Sequence, residues 1–236
     1  MTAALSTGPI TAEEWGIVSL SLRVSAVSVL GAAPLGFGVA WLLARGRFAG
    51  LVVLDALVHL PLVLPPVVVG WLLLLGFGAQ GPAGRLLADW GVTLMFRWTG
   101  AALASAVMAF PLMVRAMRLS IEAVDHKLEA AARTLGASRA RVFATITLPL
   151  AMPGVLAGLV LGFARSLGEF GATITFVSNI PGETQTLPLA IYAALQTPDG
   201  EQAASRLALI AVGLSLAALV TSEALSRRMG ANVHGL

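Results

Sequence analysis

The sequence predicts an all-α protein threaded repeatedly through a lipid bilayer. Three features lead there: its apolarity, the length of its apolar runs, and the one-sided placement of its basic residues. Hydrophobic residues make up 57% of the 236 and charged residues only 11%, with a mean hydropathy of +0.87, far above ordinary soluble domains. The runs approach or exceed the ~20 residues that cross a hydrocarbon core of about 30 Å at ~1.5 Å per residue.

The first span is Trp15 to Leu43, interrupted only by Arg23 and followed by Arg45 and Arg47. Glu13 and Glu14 stand where a cleavable signal would carry basic residues, and the run is too long for a signal core, so it is read as a real span. The second, Leu51 to Phe77, contains Asp55, His59, Pro61, Pro65 and Pro66. Its halves are each too short to cross alone, which predicts one discontinuous helix. The third runs from Gly100 to Met117, the fourth from about Leu148 to Gly168, and the last from about Ala203 to Leu225. Ala79 to Trp98, with Gly81, Pro82, Gly84, Asp89 and Trp90, reads as a loop with a short interfacial helix. Phe170 to Gln196 is apolar but punctuated by Asn179, Pro181, Gly182 and Pro188, and stays open between an external loop, a dipping segment and a sixth span. Five spans are thus predicted, or six if that stretch crosses.

Basic residues set the orientation. Arg45, Arg47, Arg115, Arg118, Lys127, Arg133, Arg139, Arg141, Arg227 and Arg228 fall on one side, against Arg85, Arg97 and Arg206 on the other. The richer side belongs in the cytoplasm, with the N-terminus outside and the C-terminus inside. Residues 1–236 form a single membrane domain with a polar cytoplasmic loop at about 119–147 and an external loop at about 171–200.

The cytoplasmic loop carries Glu122, Asp125, Lys127, Glu129, Arg133, Arg139 and Arg141, with Leu128, Ala131, Leu135 and Val142 at roughly helical spacing. That pattern predicts an amphipathic helical hairpin. Gly136 sits where the first helix should end in a left-handed cap, and Ser138 can cap the second helix. Pro149 and Pro153-Gly154 mark the return to the bilayer.

The run Glu129-Ala130-Ala131-Ala132 followed by Gly136, Ile146, Leu148 and Pro149 resembles the EAA loop of ABC importer permease subunits. One departure stands out. Counted back from Gly136, the family's glutamate position is held by Ala130, and Glu129 lies one residue early. The resemblance extends from Leu60-Pro61-Leu62-Val63-Leu64-Pro65-Pro66-Val67-Val68-Val69-Gly70 to Arg165-Ser166-Leu167-Gly168-Glu169-Phe170-Gly171-Ala172-Thr173. Its most specific piece is Ser178-Asn179-Ile180-Pro181-Gly182-Glu183-Thr184-Gln185-Thr186-Leu187-Pro188, which is similar to molybdate permeases, with sulfate permeases as near relatives.

The resemblance implies a type I ABC importer permease fold, a homodimer around a central pathway, an external oxyanion-binding protein and two cytoplasmic ATPase subunits. ATP and magnesium would sit on those partners, and this chain would bind no cofactor. Glu129, Ala131, Ala132, Arg133, Leu135, Gly136, Ala137 and Ser138 become the candidates for coupling to the ATPase, and Asn179, Pro181 and Gly182 for receptor contact.

A charge inside a span costs roughly 2.5 to 3.5 kcal/mol on insertion scales and calls for a compensating role. Arg165 and Glu169 lie four apart on one helix face. They read either as an ion pair holding the bundle together or, with Ser166 and Thr173, as pathway residues that attract an oxyanion without binding it too tightly. Asp55 with His59 reads as a structural pair, and Arg23 as a cation reaching for the outer headgroups.

Other classes fare worse. No cysteine is present, and His59, His126 and His234 are too scattered to suggest a metal cluster. The net charge of +3 is spread over short loops, without a basic face for nucleic acid. The only lysine, Lys127, has no glycine-rich phosphate cradle, so any ATP must be hydrolysed by a separate chain. An ion-driven secondary transporter is the alternative that the broken second span with Asp55 and Glu169 would suit. A membrane anchor for a signalling complex would explain the hairpin but not the buried charges.

Overall fold

The computed structural model describes the backbone of residues 11–233 and side chains as far as Thr221. His234, and the side chains of Arg227 and Arg228, lie outside the described residues. Helix α1 spans Ala12–Arg45 and opens on a capping box in which Thr11 and Glu14 satisfy each other's backbone N–H groups. Helices α2 (Leu51–Val63) and α3 (Pro66–Phe77) meet at a bend of 115°. Pro66 offers no N–H, and Pro65 keeps Leu64 extended, so the helix cannot run through. The short helix α4 (Pro82–Asp89) follows, then α5 (Trp98–Glu122), α6 (His126–Thr134) and α7 (Arg139–Val142).

The chain then differs from its sequence reading. Helix α7 runs through a π-helical turn, Phe143–Thr147, straight into α8 (Leu148–Leu167), so the helix that carries the fourth span begins at Arg139, ahead of Leu148. Pro149 has no N–H for the carbonyl of Thr145, and its ring would press on that carbonyl in a regular turn. Widening the turn, with the Leu148 N–H donating to the Phe143 carbonyl, lets the helix continue. The second arm of the predicted hairpin is therefore the rigid foot of a span.

Two contacts fix the direction of travel. Arg45, ending α1, donates to the Ile121 carbonyl at the end of α5 (3.3 Å), so these helices run parallel. Glu14, at the start of α1, pairs with Arg206 at the start of α11 (Glu201–Val233) at 2.9 Å. With α2–α3 and α8 returning, the backbone crosses five times, and the described chain ends opposite where it begins. The stretch left open in the sequence forms α9 (Gly171–Val177) and α10 (Leu187–Leu195). At ~1.5 Å per residue neither reaches across a bilayer, yet Phe176, Val177, Leu187 and Leu189 are almost fully buried. The stretch is not a sixth span but a segment that dips in among the ends of α1, α3, α5 and α11, against which these side chains pack.

Small residues let the spans approach. Gly154, Gly158 and Gly162 form one stripe of α8 that faces α5. A Cβ at Gly154 would collide with Ser120, one at Gly158 would lie 3.0 Å from the Met113 carbonyl, and one at Gly162 would lie 2.6 Å from Met113 Cγ. Close backbone packing of this kind replaces the hydrophobic drive that lipid cannot supply. Gly70 does the same for α3 against α9, where a Cβ would stand 2.6 Å from the Ala172 carbonyl. Met113, Val114, Met117 and Ile121 of α5 are fully enclosed at the centre of the core.

Gly154→Leu is expected to cost on the order of 1–3 kcal/mol or more through overpacking, lowering the temperature at which the purified protein loses its monodisperse peak. Gly76→Leu, where a Cβ meets nothing, should leave that temperature unchanged.

Candidate functional site

The polar segment after α5 forms a compact cap on one end of the bundle. Asp125 accepts the Lys127 N–H at 2.8 Å and starts α6. The helix stops at Gly136, whose φ of +85° is left-handed and suited to glycine. Around it, the Ala137 N–H donates to the Ala132 carbonyl and the Gly136 N–H to the Arg133 carbonyl, both at 3.1 Å, closing a Schellman turn. Ser138 then accepts the Arg141 N–H (3.3 Å) and starts α7. The predicted apolar face splits: Val142 is buried, whereas Leu128, Ala131 and Leu135 face outward, Leu135 being 88% exposed. An apolar ridge offered to water on a charged cap is a docking surface in form.

Glu129 holds the cap to the bundle. Its carboxylate accepts from Thr147 Oγ1 at 2.7 Å and from Arg45 Nη2 at 3.1 Å, with the His126 ring at 3.4 Å. Arg45 also meets the His126 ring. One side chain thus joins α6 to the end of α1 and to the π turn that leads into α8. Partial burial pushes the Glu129 carboxyl up, but the Thr147 hydroxyl, Arg45 and His126 outweigh it and leave the group below the ordinary carboxylate range. The one-residue offset seen in the sequence turns this carboxylate inward, while Ala130, at the family's usual position, stays exposed.

At the opposite end, Arg165 and Glu169 pair at 2.7 Å. Glu169 is buried, and its other oxygen accepts the Ala172 N–H at 2.9 Å, fastening the start of α9. Ser166 and Thr173 are also buried, and neither hydroxyl has a partner among the described residues. Asn179, Pro181 and Gly182 lie in the turn between α9 and α10. That turn is stapled by Thr184, whose Oγ1 accepts the Ile180 N–H (2.8 Å) and donates to the Ser178 carbonyl (3.0 Å). Asn179 donates to the Leu189 carbonyl (3.4 Å), while Pro181 and Gly182 project outward. Asp55 is paired twice, with Arg118 at 3.0 Å and with His59 at 3.3 Å.

Sequence reasoning missed four participants. Arg45 and Thr147 complete the Glu129 clasp, and no local pattern marks them, since they lie far from Glu129 along the chain. Glu14 with Arg206 ties the first span to the last, and here the signal was present in the Thr11-Ala12-Glu13-Glu14 capping pattern.

Residues 32–231 match the family model described as binding-protein-dependent transport system inner membrane component. The chain belongs to that family. Such a component spans the inner membrane, in keeping with the apolar helices described above. The chain is 60% identical over 219 residues to the molybdenum transport system permease protein ModB of Escherichia coli, covering 92% of this chain and 96% of that one. It is 39% identical over 200 residues to the sulfate transport system permease protein CysT of Salmonella typhimurium, covering 85% and 72%. Among solved structures, a bacterial ABC transporter that imports the acidic polysaccharide alginate superposes with a TM-score of 0.73 at 19% identity, over 92% of this chain and 80% of that one. The fold is thus that of type I ABC importer permeases.

The depressed Glu129 carboxyl gives a pH dependence of definite sign. Its folded-state value lies below the unfolded one, so its contribution is complete above the ordinary carboxylate range and disappears as pH falls through the folded value. Glu129→Gln should speed amide exchange over residues 125–138 at neutral pH. The difference from wild type should vanish in acid, below that range.

Proposed function

We propose that the chain is the permease subunit of an ATP-driven importer of molybdate, working as a pair of identical copies. Two ATP-hydrolysing subunits bind the α6–α7 cap, and a solute-loaded receptor binds the opposite end. The observation that carries the cargo is the 60% identity to ModB over nearly the whole of both chains, against 39% to the sulfate permease. The excess of basic residues around the cap supports a cytoplasmic cap, with the beginning of α1 outside and the end of α11 inside. Large apolar side chains exposed along α2 and α3, among them Val52, Leu57, Val63 and Trp71, suit burial against lipid and the second copy.

In this reading the chain supplies no chemistry. ATP and magnesium belong to the ATPase, and the cap receives the motion of its closure. Leu128, Ala131 and Leu135 seat in the partner. Gly136 fixes the angle at which α6 meets α7, and Glu129 passes displacement to α1 through Arg45 and to α8 through Thr147. Because α7, the π turn and α8 are one continuous rod, movement of the cap becomes tilting of the spans.

Proteoliposomes holding the chain with its ATPase and receptor should take up labelled molybdate when ATP is supplied, with sulfate competing poorly. Efficient uptake of sulfate in place of molybdate would move the assignment to the sulfate branch. Leu135→Arg and Gly136→Val should each lower uptake by tenfold or more while the permease stays folded, and Leu135→Arg should also release the ATPase during purification. Retention of the ATPase with normal uptake in both variants would remove the cap from the coupling role.

A further inference from the structure

We infer that Arg23 is the first cationic contact for an incoming tetrahedral oxyanion, posted where a vestibule of mixed lining at the outer face meets an open apolar trough along α1, α2 and α5. The inference rests on the permease reading and names a residue for the entry of its cargo.

Arg23 lies eleven residues beyond Ala12 (23 − 12) in α1, ~16 Å along the helix. Its side chain is exposed, and it forms no ion pair with any carboxylate among the described residues. Its guanidinium carbon instead sits 3.8 Å from the centroid of the Trp98 ring, at the first residue of α5. An aromatic face holds a guanidinium in place without neutralising it as a carboxylate would. Arg23 therefore keeps its full charge and a planar edge of N–H donors, the geometry that suits two oxygens of one oxyanion.

The two surfaces beside it differ in kind. On one side is a cavity of about 450 Å³ lined by Glu13, Ser19 and Gln185 together with Pro181 and Gly182 of the α9–α10 turn. On the other is a trough of about 670 Å³ whose walls include Val27 and Gly31, further along α1, and Thr99 and Ala102, next along α5 from Trp98. The Arg23–Trp98 stack thus stands at the step from a mixed lining, which also includes Ile17 and Leu20, to one that is almost wholly apolar. Of the other acidic groups at this end, Glu14 is paired with Arg206 and Glu169 with Arg165. Glu13 in the cavity wall and Glu183 beside Gly182 stand near the entry, where their repulsion keeps an anion from being held too firmly, and Asp89, Asp199 and Glu201 lie at the end of α4 and around the start of α11. An anion released into the vestibule competes with the Trp98 face for Arg23 and draws the guanidinium off the ring.

The chain contains no cysteine, so Ser19→Cys places a single thiol in the vestibule with Arg23 intact. In the complete importer, externally added anionic and cationic methanethiosulfonate reagents would be compared for rate. The anionic reagent should react about tenfold faster. That bias should fall to near parity when Arg23→Gln is added and return in part with Arg23→Lys. Arg23→Gln alone should lower molybdate uptake about tenfold while the purified complex keeps all its subunits. A thiol unreactive from outside, a charge bias indifferent to Arg23, or normal uptake by Arg23→Gln would each overturn the inference. Should the bias appear in a wild-type complex that fails to take up molybdate, the anion contact stands and the cargo assignment falls.

Discussion

The architecture depends on how closely α5 and α8 can approach. Apolar side chains gain nothing by leaving lipid for one another, so two spans are held together by shape and by backbone proximity. Gly154, Gly158 and Gly162 provide that shape, and Met113 and Met117 fill what the missing side chains leave. Since α8 carries the cap at its foot and the Arg165–Glu169 pair at its head, the seam sets the distance between the two ends of the molecule.

The charged contacts are arranged around that seam as fastenings. Glu129 ties the cap to α1 and to the base of α8, Glu14 ties α1 to α11, and Glu169 ties the head of α8 to the dipping segment. Each of these carboxylates combines an ion pair with a further hydrogen bond from a backbone amide or a hydroxyl, which is how a partly buried charge avoids standing uncompensated. Glu129 and Glu14 join elements that lie far apart in sequence, and Glu169 sets the angle between two consecutive ones; without them these helices would slide as independent rods.

Much of this was legible in the residues. The five crossings followed from apolar run length, the broken second span from Pro65-Pro66, and the turn at Gly136 from glycine's freedom at positive φ together with Ser138 two residues on. The remainder was hidden for identifiable reasons. Periodicity could not show that Pro149 would be absorbed by a widened turn, because a proline reads as a boundary unless the tertiary fold rewards continuity. The dipping segment escaped because its halves are as apolar as a span, and only their lengths, fixed by the intervening turn, keep them from crossing. Glu129 was legible as a residue and illegible as a clasp, since Arg45 and Thr147 reach it through the fold.

Leu135 carries a consequence for the solitary subunit. A leucine 88% open to water at the tip of a charged cap is an adhesive while its seat is empty, and surplus copies bearing it will cluster with one another or with any greasy cleft they meet. The yield of well-dispersed subunit obtained without anything over that tip is therefore set by self-association as much as by the stability of the bundle.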